Sequence, residues 1–86
     1  MTPAAQVFSA SQILQEILDG KKAKSSLKEW SKTNRYAGSK DRRAIRDFVY
    51  DSLRIKRSAL SKIKAPHSGR NWAVGVLIET NEDLEK

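Results

Sequence analysis

Residues 37–57 read AGSKDRRAIRDFVYDSLRIKR and carry seven basic and two aromatic side chains. At about 100° per residue, Arg43, Arg46, Tyr50, Arg54 and Arg57 fall within an arc of about 80°. Ile45, Phe48, Val49, Ser52 and Leu53 occupy the opposite side, and Leu60 and Ile63 continue that apolar face. This period predicts one long helix over about 40–63. Ser39 suits its N-cap, and Asp41 lies in the first turn, where the helix dipole favours a carboxylate.

Upstream, Thr2-Pro3 supplies a capping hydroxyl and a proline at the first helical position. Val7, Ala10, Leu14, Ile17 and Leu18 then recur at helical spacing, and Gly20 stands where a left-handed residue ends a helix. These signals predict a helix over about 3–19. A basic link, Lys21-Lys22-Ala23-Lys24, leads to a second helix over about 24–35. Ser26 and Glu29 there have capping-box spacing, and Leu27 and Trp30 share one side. Downstream, Pro66 and Gly69 place 65–69 in a loop. The run Val74-Gly75-Val76-Leu77-Ile78 has no second strand to pair with, so it predicts a helix over about 70–80. The acidic end, with Glu79, Glu82, Asp83 and Glu85 before Lys86, reads as a frayed terminus. The expected architecture is all-α: one domain spanning 1–86, a bundle of about four helices.

The chain has 86 residues, enough for one small domain with a thin core. It has no cysteine, which removes a disulfide framework, a thiolate zinc site and a cysteine nucleophile. No apolar run approaches the roughly 20 residues of a membrane span, and MTPAAQVFSA lacks the pattern of a signal peptide. A cytoplasmic monomer without membrane contact is the expectation. The net charge of +7 and pI near 10 favour polyanionic partners, nucleic acid first and an anionic membrane surface second.

The arginine stripe suits such a partner. A guanidinium fork donates two parallel hydrogen bonds to phosphate, and a tyrosine beside it can stack on an unpaired base. Lys40 and Arg42 stand at the helix start, near free amides that favour an anion. The candidate RNA-binding residues are therefore Lys40, Arg42, Arg43, Arg46, Tyr50, Arg54 and Arg57. The competing reading is a solvated helix face. Asp47 lies four residues after Arg43 and Asp51 three before Arg54, so intrahelical pairs can absorb charge, and Tyr50 can cover a neighbouring helix. Lys21, Lys22, Lys24 and Lys28 form a second basic cluster, more simply read as solvated. His67 is alone in a loop, without a second ligand at metal spacing. Trp30 and Trp72 read as core. Asp41 and Asp47 lack a nucleophile or apolar pocket, and no glycine-rich phosphate loop follows a strand. No active site, metal site or cofactor site is visible.

SKDRRAIRDFVYDSLRIKR resembles the signature of the N-terminal domain of bacterial rRNA cytosine-5 methyltransferases of the RsmB/Sun type. MTPAAQVFSASQILQEILDG, LKEWSKTNRYAGSKDR and GRNWAVGVLIETNEDLEK are similar to neighbouring segments of the same family, in order. The signature falls here on Asp41, Arg42, Val49, Tyr50, Leu53 and Arg54; Val49 and Leu53 lie on the apolar face, and Arg42 is expected to be partly buried. The resemblance implies a NusB-like helical domain that positions rRNA for a catalytic domain following it in cis. That catalytic domain uses a cysteine nucleophile and S-adenosylmethionine in a glycine-rich loop. This chain has neither, so the resemblance implies a fragment, inactive by itself, whose helical domain is incomplete. Two alternatives stand beside it: an antitermination factor of the NusB type, binding RNA with a protein partner, and a docking domain that contacts its catalytic domain and no RNA.

Overall fold

A computed structural model describes residues 2–35, 37–63 and 66–84, and for 81–84 the backbone only. The side chains of Glu82, Asp83, Glu85 and Lys86, read above as a frayed end, lie outside the described residues, as does Ala65 of the expected loop. Among the described residues there are five helices and no strand: α1 (Pro3–Leu18), α2 (Ala23–Thr33), α3 (Ser39–Arg54), α4 (Lys56–Ser61) and α5 (Gly69–Leu84). The all-α class is as the periodicity requires.

Local chemistry sets the first helix. Thr2 caps α1, its hydroxyl accepting from the Ala5 amide at 3.1 Å, with Pro3 at the first helical position. The other end closes in a Schellman motif. The Lys21 and Gly20 amides donate to the Glu16 and Ile17 carbonyls, both at 3.0 Å, and Gly20 adopts φ +106°. Ser26 does not cap α2, which begins three residues earlier; it lies inside the helix, fully buried. The N-cap of α3 is Gly38, with extended backbone angles, and Ser39 is the first helical residue.

The long helix expected over 40–63 is two helices. The chain turns at Ile55 (φ −110°, ψ 24°) and re-enters a helix at Lys56. The cause lies 20 positions away. In an unbroken helix the Ser52 carbonyl accepts from the amide of residue 56; here it accepts from the Trp72 indole N–H at 3.1 Å, deep in the core. The Ser52 hydroxyl, 2.7 Å from the Phe48 carbonyl, back-bonds within the same turn, a habit that bends helices.

The core assembles Ala10, Ile13 and Leu14 of α1, Ile45 and Val49 of α3, Ala59 and Leu60 of α4, and Trp72, Ala73 and Val76 of α5. Trp72 is core, as expected; Trp30 is only half-buried at the edge. Helix α5 runs antiparallel to α1, with Gly69 against Ser11 and Gln15 and residues 73–74 against Ala4, Val7 and Phe8. Gly69 does not belong to the loop. It opens α5, after Ser68 accepts from the Asn71 amide as a side-chain cap, and its own amide donates to Gln15 Oε1 at 2.8 Å. A Cβ on Gly69 would sit 2.1 Å from the Ser11 carbonyl oxygen, and one on Gly75 would sit 2.2 Å from that of Ala59. Both glycines are there for space, letting α5 meet α1 and α4 backbone to backbone.

Among the described residues, helix α2 packs only on α1 and α3 and buries a single side chain, Ser26. It is the lightest-held element.

Candidate nucleic-acid interface

The dipeptide Asp41-Arg42 secures the start of α3 to both preceding helices. Asp41 Oδ1 accepts from Gln6 Nε2 at 2.8 Å, reaching α1. Arg42 Nη2 donates to the Arg35 carbonyl at 3.0 Å, reaching the turn after α2. The Gln6 bond is the main cause holding the Asp41 carboxyl below the usual aspartate range, against partial removal from water. Arg42 is exposed rather than partly buried, but its guanidinium is engaged by that carbonyl. Its first role is to hold a turn.

Beyond this clamp, α2 and α3 diverge to leave a hollow of about 320 Å³. Arg42, Arg43 and Arg46 line it from α3, Lys28 from α2, and Leu27 and Trp30 form an apolar wall. Ser31 and Ser39 add hydroxyls, and no carboxylate lines it. Near the other end of α3, Leu53, Arg54, Lys56, Arg57, Leu60, Ser61 and His67 line a broader hollow of about 690 Å³. Residues 46, 50 and 54 follow one flank of α3 between the two, spanning about 12 Å at 1.5 Å per residue. Tyr50 stands midway, 46% exposed, and lines neither hollow.

The predicted residues thus divide. Arg43, Arg46, Tyr50 and Arg54 share the exposed flank. Arg57 leaves the helical stripe because it follows the break at Ile55, but the turn returns it to the same hollow as Arg54. Lys40 is exposed in the first turn of α3 and lines neither hollow.

Of the two expected intrahelical pairs, one forms: Arg54 Nη2 meets Asp51 Oδ1 at 3.0 Å, with both side chains more than half exposed. Asp47 pairs with its neighbour Arg46 at 3.6 Å instead of with Arg43. Exposed pairs of this kind contribute about 0.2–1 kcal/mol and yield to a better anion. Among the described residues, Arg43 and Arg57 have no carboxylate within ion-pair reach.

The lysine cluster also divides. Lys21 bonds to Glu29, which holds its ammonium above the usual lysine range, and lies 3.9 Å from Glu16. Lys28 turns instead into the α2–α3 hollow. Lys28 and Trp30 are the residues that reading α3 by itself misses. Their spacing on α2 is visible in the sequence, but which side of α3 they meet is not.

Among the described residues there is no group of three or more His, Asp or Glu able to hold a metal, and no helix long and apolar enough to cross a membrane. Away from α3, Phe8 of α1 (64%) and Val74 of α5 (41%) are exposed beside each other, and Leu77 and Ile78 are exposed farther along α5. No protein-family model, curated protein or solved structure matches this chain.

Proposed function

We propose that this domain is an RNA-holding module whose contact surface is the basic flank of α3. The observation that carries the reading is the exposure of Arg43, Arg46 and Arg54 along one flank, with a hollow lined by several cations and no carboxylate at each end. Guanidinium groups so placed bind phosphate oxygens and fix register without reading base sequence. The resemblance to the N-terminal domain of RsmB/Sun-type rRNA methyltransferases supplies the context: rRNA positioned for a cytosine-5 methyltransferase domain in cis, which brings the cysteine and S-adenosylmethionine. In the antitermination alternative, the same flank would bind RNA together with a protein partner.

The test is the double substitution Arg46→Glu and Arg54→Glu. Both side chains are exposed and their ion pairs are of the weak surface kind, so the fold loses only about 1 kcal/mol, or about 4–8 °C in Tm. Binding of a labelled rRNA fragment should fall at least tenfold. The slope of log affinity on log salt, about −0.7 per phosphate contact on a single strand, should become shallower by about 1.4. Unchanged RNA affinity in a folded variant would refute the reading.

A second reading rests on the exposed Phe8, Val74, Leu77 and Ile78. It makes the α1–α5 face a docking surface for another folded domain, with binding indifferent to salt. Phe8→Ser abolishing association with that domain while RNA affinity stays unchanged would favour it.

A further inference from the structure

We infer that the α2–α3 hollow is a seat for one unpaired nucleotide of an RNA strand, its base against the Trp30 indole and its phosphate between Arg43 and Lys28. This inference rests on the RNA reading above and names the form of RNA recognised.

Three features separate this hollow from a merely charged surface. It has an aromatic residue in its wall: Trp30, half-buried, lines the hollow together with Leu27, while also bordering a hollow on the α1–α2 side that Glu16 and Glu29 line. It has cations on both banks, Lys28 on α2 and Arg43 and Arg46 on α3. Neither Lys28 nor Arg43 is spent on a carboxylate among the described residues. Its volume of about 320 Å³ also lies at the small end of ligand clefts, suited to one group rather than to a helix.

An indole wall beside guanidinium groups is the chemistry that takes a splayed base by its face and the adjoining phosphate by charge. A duplex offers no free base face, so it would meet only the arginines. An acidic peptide would satisfy the cations and leave the indole without a planar partner. The other hollow, at Arg54 and Arg57, has no indole or phenyl ring among its lining residues, only the smaller imidazole of His67. It suits a neighbouring phosphate of the same strand.

Intrinsic fluorescence of the 86-residue chain reads this, because the chain has two tryptophans; Trp72 is fully buried but lies 5.4 Å from Lys56 of the other hollow, so the Trp30 signal is the part lost in Trp30→Leu. A single-stranded oligoadenylate of eight nucleotides should change the tryptophan emission saturably. A duplex of equal length should bind by charge without that change, and polyglutamate should leave the emission unaltered. Trp30→Leu should weaken the oligoadenylate by about tenfold with the salt slope unchanged, since stacking is lost and no phosphate contact is. Arg43→Glu should weaken it and make the slope shallower by about 0.7. Binding of the oligoadenylate with no change in emission would overturn the seat and leave the RNA reading standing, whether or not the Trp30 variant folds. An equal emission change with polyglutamate would overturn it also, making the hollow a general anion groove. If no RNA form binds at low salt, both readings fall.

Discussion

Gly75→Ala is the substitution whose cost follows most directly from the geometry. The added Cβ would lie 2.2 Å from the Ala59 carbonyl oxygen and 2.8 Å from its carbon, where contacts below 3.0 Å essentially do not occur. Both atoms are backbone, so no rotamer change relieves the clash; α5 must withdraw from α4 by about 1 Å. Overpacking of this kind costs about 1–3 kcal/mol, and the upper end applies because a gap of about 1 Å also forfeits up to half of each dispersion contact across the interface. That interface holds Ala59 and Leu60 against Trp72, Ala73 and Val76, all buried. Alanine's better helix propensity returns about 1 kcal/mol. The net loss is about 2 kcal/mol, or about 8–16 °C in Tm for a domain of this size. Thermal and urea denaturation followed by circular dichroism measure it. A Tm equal to or above that of the parent would refute the backbone contact between α4 and α5.

Three further outcomes follow from single contacts. Among the described residues the buried Ser26 hydroxyl has no hydrogen-bond partner, so Ser26→Ala should raise stability by about 1 kcal/mol in urea denaturation. Gly38 caps α3 with extended angles and 3.9 Å of room to the nearest side chain, so Gly38→Ser should add a cap and a few tenths of a kcal/mol, seen as a Tm rise of about 1–3 °C. Asp41 is held below the usual aspartate range, so its contribution is present above the unfolded pKa of about 3.9 and is lost as the pH falls through the lower folded value. In Gln6→Ala the Asp41 carboxyl, followed by NMR, should titrate at higher pH than in the parent, and this part of the acid sensitivity should diminish.

Features that one or two neighbouring residues decide were legible from the sequence. Thr2, Pro3 and Gly20 bound α1 because capping is local chemistry, and Ile45, Val49 and Ser52 show the buried side of α3 because periodicity is local geometry. The break at Ile55 was not legible, since its cause is an indole from another helix. Gly69 misled for a related reason: glycine signals a breaker, but here it supplies clearance against Ser11. The arginines of the candidate site were readable by angle. Their arrangement into two hollows was not, because one depends on how α2 crosses α3 and the other on the turn at Ile55.

The bond from Trp72 to the Ser52 carbonyl also bears on the order of folding. Residues 40–63 carry the pattern of a single helix, and within the segment only the Ser52 back-bond favours a bend. The corner should therefore complete only when α5 docks and its indole takes the Ser52 carbonyl, so Trp72→Phe should lengthen the helix through residue 56, as amide exchange of Lys56 would show. In an unbroken helix Arg57 would continue the stripe of Arg54, whereas after the turn both line one hollow. Without the indole of Trp72, the residues of α3 would keep their flank while Arg57 and Lys56 would be expected to leave the hollow they share with Arg54.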